Sequence, residues 1–229
     1  PSNNVAQFAS GENRVLVTLD EVSPYLIDAI IAGEDRDYYN HSGVDPWGVA
    51  RALYRDVRGS ASRQGGSTIT QQYVKNVYLT NEGTLQRKLH EAAIAIQLDR
   101  KYSKDEILEK YLNEIYFGRG ANGVEAAARA YFDKDAGDLD IAESAYLAGL
   151  VRAPSRADAS TNPKEATRRR RTVLDGMVET GAITQAQADK ADRTPWEGHV
   201  LAAPPANNGT AVRAAFSEAD GQYIIEWAR

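Results

Sequence analysis

Three short polar stretches carry the side chains whose types and spacing could do chemistry. GEDRDYYNHSG, Gly33 to Gly43, sets Glu34 and Asp35 directly after the apolar run LIDAIIAG. A carboxylate at the end of a hydrophobic helix is partly desolvated, which suits general acid–base work. The competing reading is a solvated acidic pair beside Arg36. GGSTITQQYVKN, Gly65 to Asn76, follows a double glycine that permits a tight turn. Ser67 or Thr68 can cap a helix start there. Ser67, Gln71 and Lys75 then recur at i, i+4 and i+8 as one polar stripe, with Val74 and Val77 on another face toward the core. A helix N-terminus furnished with hydroxyls, amides and an ammonium suits an anion, phosphate or pyrophosphate above all. A solvated face of an amphipathic helix reads equally well. RKLHE, Arg87 to Glu91, puts Arg87 and Glu91 on one helix face, where an ordinary surface ion pair is the plainer reading.

Other stretches exclude more than they suggest. GRGANG, Gly118 to Gly123, matches G-x-G-x-x-G but follows a helical pattern rather than a strand, so it reads as a turn and not as a dinucleotide site. RRRR, Arg168 to Arg171, points all the way round a helix and reads as solvated, with contact to anionic headgroups as the lesser reading. His41, His90 and His199 are too scattered for an obvious metal site. HExxH, Walker A, GxSxG and Ser-x-x-Lys motifs are all absent. A net charge of −5 gives no pointer to nucleic acid, and the absence of cysteine excludes a disulfide scaffold.

The elements that must position these residues are mainly helices. The 229 residues suffice for one large domain or one domain and part of another. Leu26, Ile27, Ile30 and Ile31 follow Pro24 at helical spacing. Ser103 with Glu106, Asp140 with Glu143 and Thr184 with Gln187 spell capping boxes, and Asn162, Pro163 and Glu165 mark another start. Gly118, Gly149 and Gly181 are expected stops. Three apolar stripes are expected in the core: Leu85, Leu89, Ala92, Ala93 and Ile96; Ile107, Leu108, Tyr111, Leu112 and Ile115; Ala145, Leu147, Ala148 and Leu150. Strands are expected at Arg14 to Leu19 and, with a helix start as the alternative, at Gln222 to Trp227. From Thr194 to Thr210 the composition turns to Pro, Ala, Asn and Gly, which reads as a linker. The start at Pro1 reads as a piece of a longer protein, and no run is apolar enough for a membrane span.

Taken in order, EDRDYYNHSG, GGSTITQQ, RKLHE, KDEILEKYLNEIYFG and GANGVEAAARAYFDK resemble the motifs of the peptidoglycan glycosyltransferases, glycosyltransferase family 51. These are the N-terminal catalytic modules of class A penicillin-binding proteins. The resemblance is dense from Leu26 to Ser155 and continues through DIAESAYLAGLVRAPS and the helix after Asn162. It implies a mainly α, lysozyme-like fold with a large head lobe and a smaller, membrane-associated jaw. The domain would span 1–193, with the jaw at about 44–64, and 194–229 would lead toward a following domain, a transpeptidase in the family's architecture. The jaw segment interleaves Trp47, Val49, Leu53, Tyr54 and Val57 with Arg51, Arg55, Arg58 and Arg63, as suits a membrane interface; an ordinary surface helix is the alternative.

The resemblance implies polymerisation of lipid II into β-1,4-linked glycan, with inversion at the anomeric carbon and release of undecaprenyl pyrophosphate. Glu34 resembles the base that takes the acceptor hydroxyl's proton, and Glu91 the second carboxylate, acting at the leaving pyrophosphate directly or through a divalent cation, Mg or Mn. No organic cofactor is implied. Asp35, His41, Ser67, Thr68, Gln71, Gln72, Lys75, Arg87 and Lys88 match substrate-binding positions. Tyr38, Gly83, His90 and Asp133 depart from the usual motif residues. The implied partners are lipid II, the growing glycan, a membrane surface and other cell-wall synthesis and division proteins, with no nucleic acid. The implied place is the outer face of the bacterial cytoplasmic membrane, with an N-terminal anchoring helix beyond this sequence. The rival readings are a lysozyme-like hydrolase or lytic transglycosylase, which has no need of the Ser67–Lys75 anion face, and a non-catalytic module that keeps the groove.

Overall fold

The computed structural model describes residues 13–46, 66–78, 85–196 and 198–203. The elements run β1 (Asn13–Arg14), α1 (Pro24–Glu34), α2 (Ile69–Tyr78), α3 (Leu85–Lys101), α4 (Lys104–Glu114), β2 (Tyr116–Gly118), β3 (Ala121–Asn122), α5 (Val124–Phe132), α6 (Ile141–Leu150), α7 (Pro163–Glu179) and α8 (Gln185–Asp192). Short 3₁₀ turns lie at Leu19–Glu21, Tyr38–Asn40 and Ala136–Asp138. The molecule is mainly α, as the periodicities require. The jaw segment beyond Pro46, Gly83 and the stretch Gln222 to Trp227 lie outside the described residues.

Helix α6 is the hub. Every residue from Ala142 to Leu150 is buried, so it has no solvent face and reads as a hydrophobic run rather than a stripe. It packs against both α1 and α7, while α2 packs against α3 and α4. Gly149 lies inside this helix and does not end it. A Cβ there would sit 3.2 Å from the Cβ of Arg169, so the residue serves the close approach of α7. The α4 stripe is buried throughout, with Tyr111 fully enclosed.

The local start signals all form. Ser103, Asp140 and Thr184 cap their helices in reciprocal boxes with Glu106, Glu143 and Gln187, and Asn162 accepts from the Glu165 N–H. Gly181 ends α7 as expected. At φ 79° it lets Ala182 N–H reach Met177 O and its own N–H reach Val178 O, the double bond pattern of a left-handed helix cap. Gly118 instead ends β2, and the glycine-rich stretch forms the β2–β3 hairpin.

Other expectations fail as well. The strand expected at Arg14 to Leu19 reduces to Asn13–Arg14, because the Asn113 side chain takes both backbone groups of Val17 at 3.0 and 2.8 Å in place of a strand partner. The α3 stripe does not face the core as a unit: Leu89 and Ala93 are exposed, and among the described side chains of this helix the buried ones are Glu91 and Ala95. Val77 is exposed, and Val74 alone of the two anchors α2. Arg170 is buried rather than solvated. It donates to Thr194 O and Asp192 O and lies 4.0 Å from the Trp196 ring. The first residues after Thr194 pack on the domain too, with Trp196 Nε1 donating to Thr167 at 2.9 Å and Leu201 N to Tyr131 O at 2.9 Å.

Candidate active site

The end of α1 divides its two carboxylates. Glu34 is the last helical residue, and Asp35 leaves the helix with a non-helical backbone at φ −158° and ψ 78°, so their side chains point different ways. Glu34, buried but lining a groove, receives Arg152 Nε on both oxygens at 3.0 and 3.1 Å. Gln72 Nε2 donates to its Oε2 at 2.9 Å. Asp35 turns into the protein. It takes His41 Nε2 at 2.9 Å and the backbone N–H of Ile69, the first residue of α2, at 3.0 Å.

The start of α2 is fixed from below. Thr68 is its cap: Gln71 N–H donates to Thr68 Oγ1 at 3.1 Å, and Gln71 Oε1 accepts the Thr68 N–H at 3.0 Å. The Thr68 hydroxyl donates to Gly43 O at 2.7 Å. Gly43, at φ 78°, lies under α3 so closely that a Cβ would fall 2.4 Å from Ala95 O. Asp35, His41 and Thr68 therefore sit beneath the groove and do not line it, whereas Ser67, Gln71, Gln72 and Lys75 do.

Helix α3 supplies further lining residues. Glu91 is 1 % exposed, with Arg87 Nη1 on one oxygen at 3.2 Å and Lys88 Nζ on the other. Lys88 also donates to Ser67 Oγ at 2.9 Å, which ties the third polar stretch to the second. Arg87–Glu91 is thus no surface pair.

Glu34 and Glu91 line one groove of about 750 Å³. Lys75, Arg87, Lys88 and Arg152 line it as well, so its described charged residues carry a net charge of +2. A carboxylate and, in the same groove, cations around a second carboxylate suit removal of a proton together with stabilisation of a departing anion.

Residues 2–178 match the family described as Transglycosylase. The chain belongs to the transglycosylase family. It is 47 % identical over 181 residues to penicillin-binding protein 1A of Mycolicibacterium smegmatis, covering 77 % of this chain and 23 % of that one. Penicillin-binding protein 1A of Aquifex aeolicus is 44 % identical, with 80 % of this chain and 25 % of the relative covered. The Vibrio cholerae protein of that name is 44 % identical over 98 % of this chain and 26 % of its own. The chain therefore spans about a quarter of the length of these relatives. The crystal structure of penicillin-binding protein 1A from Haemophilus influenzae superposes with a TM-score of 0.52 at 23 % identity, covering 93 % of this chain and 23 % of that one, and so shares the fold.

Within this transglycosylase groove, sequence reasoning missed Arg152, Asn76 and Tyr116. Arg152 follows the buried α6 in LVRAPS. A helix buried all round must deliver the residues after it to a fixed place, and that was the one signal available. Tyr116 belongs to β2, where the sequence pattern was expected to continue the preceding helix up to Gly118. The departures His90 and Asp133 lie away from the groove: His90 is exposed on α3, and Asp133 closes α5 in a left-handed conformation. Among the described residues no helix is long and apolar enough to cross a membrane.

Proposed function

We propose that this domain is a peptidoglycan glycosyltransferase that polymerises lipid II into β-1,4-linked glycan, inverting the anomeric carbon and releasing undecaprenyl pyrophosphate. The observation that carries the reading is the shared groove, lined both by Glu34 and by Glu91 with its two cations. In this reading the acceptor's 4-hydroxyl gives its proton to Glu34 as its oxygen attacks the donor anomeric carbon. The bond to pyrophosphate breaks on the opposite face, as inversion requires. Lys75, Arg87 and Lys88 meet the diphosphate charge, which grows as the bond breaks, with the hydroxyl and amides of Ser67, Gln71 and Gln72 beside them. A glycan hydrolase has no departing diphosphate and no use for that surplus of cations.

Asp35, His41 and Thr68 act here by positioning, since their hydrogen bonds fix the start of α2. The donor set does not fit a protein-held Mg or Mn. Glu91 is the lone carboxylate that α3 brings to the groove among the described residues, and cations already hold both its oxygens. Lipid II and the growing chain as substrates, a membrane surface at the jaw and a place at the outer face of the cytoplasmic membrane belong to the same proposal. The test is polymerisation of labelled lipid II by the purified protein. Glu34→Gln is expected to fold normally and lose roughly 10²–10⁴-fold in rate. Wild-type activity in that variant would remove Glu34 from the base role.

A further inference from the structure

Tyr111 interrupts an otherwise aliphatic stripe on α4, between Ile107, Leu108, Leu112 and Ile115. Its ring is fully enclosed, and a phenylalanine would pack the same space. The hydroxyl is thus surplus to packing, yet a buried hydroxyl needs a partner. It has one: Tyr111 O–H donates to Gln72 Oε1 at 3.0 Å. The other end of the same amide, Nε2, donates to Glu34 Oε2 at 2.9 Å.

An amide can face a carboxylate in two ways. With Nε2 toward Glu34 it donates; turned over, it sets Oε1 against a carboxylate oxygen, and two acceptors repel. Glu34 alone favours the first orientation but leaves Oε1 unsatisfied inside the protein. Tyr111 satisfies it and penalises the turned-over form. We infer that Tyr111 is a positioning residue for the transfer reaction: through Gln72 it fixes the amide that aims the Glu34 carboxylate at the acceptor hydroxyl.

The surroundings keep Tyr111 a donor. Burial, with Glu34 and Asp35 nearby, pushes the phenol well above its ordinary value, and Arg152 counters only part of this. The charged groups facing the network are Glu34 and Asp35 from the end of α1, with His41 on Asp35, and Arg152 from the segment after α6. Lys75 on α2 and Arg87, Lys88 and Glu91 on α3 line the same groove. The Tyr111–Gln72 bond is separate from the bonds that Gln72 and Arg152 make to Glu34, so replacing the phenol by a phenyl removes that bond and leaves those donors in place.

The inference rests on the glycosyltransferase reading, and two measurements keep the two apart. In lipid II polymerisation, Tyr111→Phe is expected to lower kcat about tenfold, the worth of one hydrogen bond to a group that must hold its geometry, with KM within about twofold. Its thermal midpoint should stay close to that of the wild type. In a Gln72→Met background, adding Tyr111→Phe should change kcat by less than about twofold, because the pair acts as a unit. Wild-type kcat in Tyr111→Phe, or the same tenfold loss with and without Gln72, overturns the inference and leaves the glycosyltransferase reading standing. The second measurement needs no turnover. The side-chain NH₂ signals of Gln72, assigned by their loss in Gln72→Met, should exchange slowly with solvent in the wild type and at least about tenfold faster in Tyr111→Phe. Equal exchange in both proteins overturns the inference whether or not the domain uses lipid II.

Discussion

Arg152 Nε lies 3.0 Å from Glu34 Oε1, although 118 residues separate them in the chain. The contact joins the segment after α6 to the end of α1, and the packing of α1 on α6 holds both in place. It sets a guanidinium on the carboxylate that is to receive a proton. Arg152→Ala removes the charge and both hydrogen bonds from a buried carboxylate, so kcat/KM for lipid II polymerisation should fall by about 10–100-fold. Arg152→Lys keeps the charge but not the planar donor geometry and should recover only part of the loss. Initial rates at several lipid II concentrations test this; equal rates for all three proteins would refute a role at Glu34.

Lys75 is exposed on α2 within the groove. If it meets the diphosphate, inorganic pyrophosphate should inhibit polymerisation competitively, and Lys75→Ala should weaken that inhibition by about tenfold, the worth of one charged hydrogen bond. Stability should be unaffected, because an exposed lysine contributes little to it. An unchanged inhibition constant would place the diphosphate elsewhere.

Asp35 should behave oppositely to its neighbour. Its carboxylate holds His41 and the first N–H of α2, so Asp35→Ala leaves a buried imidazole and a buried N–H without their acceptor. A loss of about 2–3 kcal/mol in unfolding free energy is expected. Urea denaturation should show a lower midpoint with an unchanged slope. Glu34→Gln, by contrast, should lose rate and keep its midpoint. A stable but inactive Asp35→Ala would return Asp35 to direct contact with substrate.

How much of this was legible depends on how local each signal is. The capping boxes at Ser103, Asp140 and Thr184 needed only four consecutive residues apiece, and all formed. The α4 stripe was legible because its helix lies on the core with one face. Helix α3 misled because its buried face is chosen by the groove: Glu91 and its cations turn inward, and Leu89 is left outside. Tertiary placement overrode apolar periodicity there. The four consecutive arginines looked alike in sequence, but Arg170 alone faces the segment after α8 and is covered by Trp196. The functional order of the polar stretches was readable. The resemblance named Glu34 as the base, but residue types and spacing alone did not say that Asp35 turns away from the groove, since one residue of helix end decides it.

The GRGANG stretch supplies the last test. Arg119, at φ 53°, turns its guanidinium inward onto Asp158, donating from Nε and Nη2 at 2.7 and 2.8 Å, and from Nη1 to Leu201 O at 2.9 Å. Burial would raise the Asp158 carboxyl, but the hydrogen bonds from Arg119 and Ser160 outweigh it, and the group lies below its ordinary value. A lowered folded value means that the unfolded chain binds the proton more readily. Its contribution is therefore complete above the unfolded value of about 3.9 and is lost as pH falls through the folded one. Asp158→Asn leaves the Arg119 charge buried without its counter-charge and should cost about 3 kcal/mol at neutral pH. Below about pH 4 the gap between variant and wild type should narrow. Thermal midpoints measured from pH 7 down to pH 3 test both the size and the sign; a gap that stays constant across that range would mean that the carboxylate charge plays no part.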